Sequence, residues 1–368
     1  VTSSRLPPGV KERLRAALRQ HADTWLQRFY RHEILVARAV RGIQDDAARE
    51  FRRTVVRPVV ERVAAGMATF ERRGQDVTIA TTPELRRLIA EAEALVRQGM
   101  RRVQDQARAN LGQLVRQEAD WVQESARKVL RIETARPVSL PRIEAAVEQR
   151  PYLGATTEEW FGSLVGGDNG AVDNVRYAVQ TGVQRGLTTD EIVRTLRGTR
   201  AGDFEDGLLS GSNVDQLRAM VRTAAAHASA TTRAETFADL GVDQYQFVAT
   251  LDSKTSIICA ANDGKVFEMG KGPMPPLHPN CRSSIVPWTG REVGNRASVD
   301  GPVPASTTFP EWLEGQPRSV QDEMLGPTRA AAWRAGDLTF AQMVGKDLQP
   351  LSIDRLRQLD RIPDPEDA

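Results

Sequence analysis

Cysteine is nearly absent from this chain, with two residues in 368, Cys259 and Cys281. That excludes a small fold stapled by disulfides and makes a reducing cytoplasm the expected place of synthesis. Long apolar runs are missing too. None approaches the ~20 residues needed to cross a bilayer, so no membrane partner is expected. No apolar stretch follows Arg5, and no secretory leader is expected. Aromatic residues make up only 5% of the chain. They are sparse in its N-terminal half, where no nucleic-acid motif occurs, which argues against sequence-specific base readout.

What is present is the composition of a folded protein, 40% hydrophobic and 27% charged, with room for two or three domains. The net charge of +2 hides an asymmetry: residues 1–136 carry 27 Lys+Arg against 17 Asp+Glu, and the remainder carries 23 against 31. On long amphipathic helices such an excess is ordinarily a solvated face. The sharper alternative is an acidic neighbour, either nucleic acid or an acidic partner surface.

The pattern predicts a mainly α chain with one small α+β module. Residues 1–136 read as a basic long-helix bundle or stalk. Pro8 suits a first helical turn, and Val10, Leu14, Leu18, Trp25 and Phe29 recur at helical spacing. Thr82-Pro83 is a helix start, and an apolar stripe then runs from Leu85 to Leu130. Unbroken, that helix is about 70 Å long, with Gly99 and Gly112 as places where it can bend. Residues 137–240 read as a central helical region. It contains a cap near Thr189-Asp190-Glu191, a Gly-, Asp- and Ser-rich mobile loop at 199–213, and a small-residue helix from Val214 to Leu240. At Gly241 the period changes to alternation. Residues 241–292 read as the compact α+β module, with strands at 244–250 and 284–288. Residues 293–368 read as a linker and a short helical tail, with Trp312 and Trp333 as core anchors.

Both cysteines and one of four histidines fall within this module. His278-x-x-Cys281 places two soft ligands on one turn, Cys259 can face them, and Asp263 is a candidate fourth ligand. Such a set suits a structural zinc ion. The bland alternative is two small buried thiols and a histidine bonded to its own loop. Arg282 is expected to hold the loop by a bidentate pair with Asp252 or Asp263.

The same residues carry a resemblance. The run Asp252-x-x-Thr255-x-x-x-Cys259, then Asp263-Gly264-Lys265-Val266-Phe267, then Pro275-Pro276-Leu277-His278-Pro279-Asn280-Cys281-Arg282-Ser283 resembles the C-terminal motif of phage head morphogenesis proteins of the Mu F type. Arg222-Thr223 and Arg233-Ala234-Glu235 are similar to the helix leading into that motif, and Phe309 to Arg329 is similar to the tail that follows it. Many relatives show a cysteine where Ser256 stands. If their site binds zinc, this chain replaces one ligand with Asp263 or water. The resemblance implies a minor capsid protein, present in few copies at or near the portal vertex of the virion and assembled in the host cytoplasm. Its implied partners are the portal protein and major capsid or scaffold proteins. Packaged DNA, bound non-specifically and accompanied on ejection, is the alternative.

An enzyme is the remaining class, and neither form of it finds its residues here. An ADP-ribosyltransferase toxin needs a Glu-x-Glu pair, and Glu91-x-Glu93 lies mid-helix with both charges expected to face water. A nuclease using His278 as base lacks the carboxylate cluster that a catalytic divalent metal requires. The expected catalytic residues are none, and no small-molecule substrate is expected.

Overall fold

The structure, a computed structural model, describes residues 8–72, 82–130, 139–290, 292 and 294–362. Helix α1 (Pro8–Phe51) runs through a π-helical turn (Arg52–Val56) into α2 (Arg57–Arg72). The turn follows from Pro58. A proline has no N–H to offer the carbonyl four residues back, and its ring displaces that carbonyl, here Thr54 O. Helix α3 (Pro83–Leu130) is one element of 48 residues. Thr82 caps it, its Oγ1 accepting from Leu85 N at 3.2 Å. Five helices follow: α4 (Leu140–Gln149), α5 (Thr157–Gly166), α6 (Ala171–Gln184), α7 (Thr189–Arg197) and α8 (Val214–Asp239). The cap of α7 is Thr188, one residue before the expected position, in a reciprocal capping box with Glu191. No helix among the described residues is long and apolar enough to cross a membrane.

Two compact units divide the chain. One takes Arg38–Gln113 and Glu148–Ala225. Its helices meet at glycines. A Cβ on Gly99 would lie 2.3 Å from Thr54 O, one on Gly66 2.5 Å from Leu88, and one on Gly182 2.5 Å from Ile192. Gly99 is where α3 makes room for the carbonyl that Pro58 displaces, and Thr54 Oγ1 in turn donates to Gly99 O at 3.3 Å. The expected mobile loop at 199–213 takes another form. Asp206 accepts from the N–H and the hydroxyl of Thr199, both at 2.7 Å. A π-helical turn (Leu208–Asn213) with Leu209, Ser210, Gly211 and Asn213 buried then leads into α8.

The other unit takes Val1–Ala37, Leu114–Val147 and Ala226–Ala368. Trp25, Phe29, Trp121 and Phe237 meet edge to face at its centre. Beside them lies a three-stranded antiparallel sheet of β1 (Gln244–Val248), β2 (Val266–Glu268) and β3 (Ser284–Pro287), in the order β2-β1-β3. Tyr245 pairs with Phe267 on one side and Pro287 on the other. A short helix, α9 (Ile257–Asn262), sits between β1 and β2. Where a linker was expected, β4 (Asn295–Ser298) and β5 (Gly301–Pro304) form a hairpin. The last helices, α10 (Phe309–Glu314), α11 (Arg318–Leu325), α12 (Pro327–Ala335) and α13 (Ile353–Gln358), close on a core containing Phe309, Trp312, Phe340 and Leu356, with Trp333 packed against it.

One charge holds this unit together. Arg233, on α8, is 0% exposed. Its Nε donates to Glu118 Oε2 of α3 at 2.8 Å, and its Nη1 donates to Glu33 of α1 and, at 3.2 Å, to Ile285 O of β3. Its guanidinium carbon lies 5.7 Å from the Phe29 ring centre. Glu118 is 1% exposed and also meets His32 and Ser229 Oγ. His32 stacks flat on Trp121, with ring centres 3.7 Å apart. Burial alone would push the Glu118 carboxyl up, but Arg233 and His32 bring it down to about 2.

The glycine contacts and the buried carboxylate each respond to substitution. Gly99→Ala should destabilise the fold by about 1–3 kcal/mol, since a methyl there overpacks against fixed backbone. Gly42→Ala, on an open stretch of α1, should stabilise it by about 0.5–1 kcal/mol. Urea denaturation of both variants checks the pair. The carboxylate responds to acid. A carboxylate whose folded pKa is depressed contributes stability above its unfolded value and loses it as pH falls through the folded one. Thermal stability should therefore drop between about pH 4.5 and pH 2, and Glu118→Gln, less stable at pH 7, should show a flatter profile over that window.

Candidate functional site

After β1 the chain turns at Asp252 and enters α9. Ser256 caps that helix, its Oγ accepting from Cys259 N at 3.3 Å. Ser256 is thus a helix cap, and Cys259 sits buried in the first turn. The opposing wall is the segment His278-Pro279-Asn280-Cys281. Proline followed by a residue with positive φ is what a type II turn demands. Asn280 has φ 63°, and Cys281 N donates to His278 O at 3.2 Å. The turn brings His278 and Cys281, three residues apart, to one side.

The outcome is a compact group of three. Cys259 Sγ and Cys281 Sγ lie 3.7 Å apart, and the ligand atoms of Cys259, His278 and Cys281 all fall within 4.8 Å of one another. Both thiols are buried against Phe247 and Ala249 of the β1 segment, whereas His278 is half-buried. The ring is fixed by Nδ1, which lies 2.7 Å from Pro279 O. The two sulfurs are pushed in opposite directions. A hydrogen bond from Cys259 brings the Cys281 thiol down, helped by His278 and opposed by burial. The same hydrogen bond, burial and the neighbouring charge push Cys259 up. Burial would lower His278, but its hydrogen bond to Cys281 and the charge there raise it. The arrangement is two sulfurs and an imidazole within reach of one another.

Asp263 is not in this group. It closes α9 on the other side, and both of its oxygens are engaged. Oδ1 accepts from Ala249 N at 2.7 Å and Arg296 Nη2 at 3.0 Å; Oδ2 accepts from Phe309 N at 2.7 Å and Arg296 Nη1 at 2.9 Å. Arg296, on β4, also donates to Ala249 O and to Thr307 O. This buried pair joins β1, the hairpin and α10, and Arg296 was not singled out from the sequence, where nothing marks one arginine among many. Arg282 does make the expected bidentate pair, and its partner is Asp252, with Nη2 to Oδ1 at 2.6 Å. Among the described residues, no other set of three His, Cys, Asp or Glu side chains converges as a metal site would require. The Glu-x-Glu pair on α3 is committed to arginines. Glu91 meets Arg62 and Arg87, and Glu93 meets Arg97 and Arg176. The Glu93 side chain is 13% exposed and does not face water as expected.

The two Asp–Arg clamps should be unequal. Asp263→Asn breaks a fully buried pair and should cost about 3–5 kcal/mol. Asp252→Asn breaks a partly exposed one and should cost about 1 kcal/mol or less. Equal losses in urea melts would show that burial does not rank them.

Comparison with known proteins places the domain. No curated protein and no solved structure matches the chain. Residues 173–286 match the family model described as phage Mu protein F like protein. The match begins on α6 and ends on β3, so it takes in Arg233, the three-residue group and both aspartates of the clamps. Over that stretch the chain is similar to the Mu F type, a family associated with phage head morphogenesis.

Proposed function

We propose that this chain is a minor head protein of a tailed phage, incorporated in few copies at the portal vertex inside the head. The observation that carries the reading is the Mu F-like match over residues 173–286, which takes in most of the module that the buried arginine fastens to the long helices. The helices suit a lining role, because a 48-residue helix extends about 70 Å and can follow a neighbour over that length. Six of the nine cationic residues of α3 are already engaged, which lessens what the basic excess offers to nucleic acid. On α3, Arg87, Arg97, Arg108, Arg116, Arg127 and Lys128 are each paired with a carboxylate of this chain. Phosphates would have to displace those carboxylates, and binding that depends on them weakens steeply with salt.

Co-expression with the portal protein of the same phage tests the proposal. The tagged chain should retain portal through washes at about 0.5 M salt, where exposed charges are strongly screened, and nuclease treatment should not release it. Capture only at low salt and only with nucleic acid present would instead favour the DNA-accompanying reading. Failure to retain portal in either regime would overturn the portal assignment.

A further inference from the structure

We infer that Cys259, His278 and Cys281 hold one zinc ion, with water as the fourth ligand. The inference stands on the geometry of the group and does not depend on the head-protein reading. The distance between the sulfurs is the first argument. Two sulfurs bound to one tetrahedral zinc at about 2.3 Å must lie about 3.8 Å apart, and here they lie 3.7 Å apart. A disulfide would need about 2.05 Å, and both cysteines are free. The pair is thus spaced for a shared ion.

The histidine is the second argument. A zinc-bound imidazole ordinarily donates its other N–H to a carboxylate or backbone carbonyl, which sets the tautomer and aims the lone pair. His278 Nδ1 faces Pro279 O at 2.7 Å, so the proton belongs on Nδ1 and Nε2 is left as the ligand atom. The sulfurs have supporting hydroxyls as well, because Ser256 and Ser283 both reach Cys259. Two thiolates and one imidazole make a soft donor set suited to zinc, unlike the all-oxygen sets that magnesium and calcium take.

The identity of the fourth ligand follows by elimination within the described residues. Asp263 is occupied by Arg296 and two backbone amides, and Asp252 by Arg282. Ser256 caps α9. The half-buried side at His278 is open to solvent, which admits both the ion and its water. Two sulfurs, one nitrogen and one water complete a tetrahedron. Loading deprotonates both cysteines, and any proton still on sulfur leaves to solvent. Two thiolates cancel the charge of the ion, so it can be buried against Phe247 without a further counter-ion.

The full chain, expressed in zinc-supplemented medium and purified without chelator, should contain about one zinc per chain by elemental analysis. His278→Gln and Cys281→Ser should each reduce that content at least about tenfold, whereas Asp252→Asn, in the clamp beside the site, should retain it. His278→Gln guards against a folding failure of the cysteine variant, because His278 is half-buried; circular dichroism checks that each variant is folded. Replacing zinc with cobalt should produce the thiolate charge-transfer and intense visible bands of a tetrahedral site, and chelation should lower the melting temperature. A folded wild-type chain that carries no zinc, and whose melting temperature responds neither to added zinc nor to chelator, would overturn the inference. So would a zinc content unchanged in folded His278→Gln and Cys281→Ser.

Discussion

A guanidinium removed from water is expensive unless acceptors surround it, and Arg233 sets the terms for everything packed near it. Carboxylates from two long helices and a carbonyl from β3 converge on it. Four segments distant in sequence are therefore in register at one point. Replacing such a cluster with apolar side chains often leaves a fold as stable or more so, so its value lies less in stability than in specifying one arrangement. Slide α8 by a turn and Glu118, itself 1% exposed, loses its guanidinium partner. The aromatic cluster of Trp25, Phe29 and Phe237 would tolerate many packings; the buried charge tolerates one.

From that anchor the Mu F-like module is built outward in decreasing order of burial. Ile285 O is held by Arg233, so β3 is fixed, and β1 is fixed by pairing with it. The end of β1 is then gripped by Arg296 and Asp263, and the loop that follows it by Arg282 and Asp252. The Cys259–His278–Cys281 group lies beside these clamps. Its own geometry is local: the Ser256 cap of α9 sets Cys259, and the Pro279-Asn280 turn with His278 Nδ1 against Pro279 O sets the other two.

Much of this was legible beforehand, and the remainder divides by a physical criterion. Local signals worked: Thr82 before Pro83 starts α3, the switch to alternation at Gly241 starts the sheet, and Pro279-Asn280 makes the turn. Long-range burial of charge did not. Asp263, four residues after Cys259, looked like a ligand by spacing, yet it points across the module to an arginine 33 residues away. Glu93 looked solvated by helical period and is instead covered by Arg176 of α6. Gly99 looked like a weakness in α3 because the cause of its placement, Pro58, is 41 residues upstream. The hairpin of β4 and β5 was missed although Asp300-Gly301 is an ordinary turn signal, because its strands are four residues each and too short to show alternation.

Head morphogenesis asks of a protein that it hold several neighbours in one arrangement, and a module pinned by unique ion pairs at the foot of long helices is suited to that. The most direct measurement is a density map of the portal vertex in a phage particle that carries this chain. A 48-residue helix, recognisable by its length, should lie against the portal inside the head, with the small β-containing module at its C-terminal end. A portal vertex fully explained by other proteins, or this chain found only on the outer capsid surface, would contradict it.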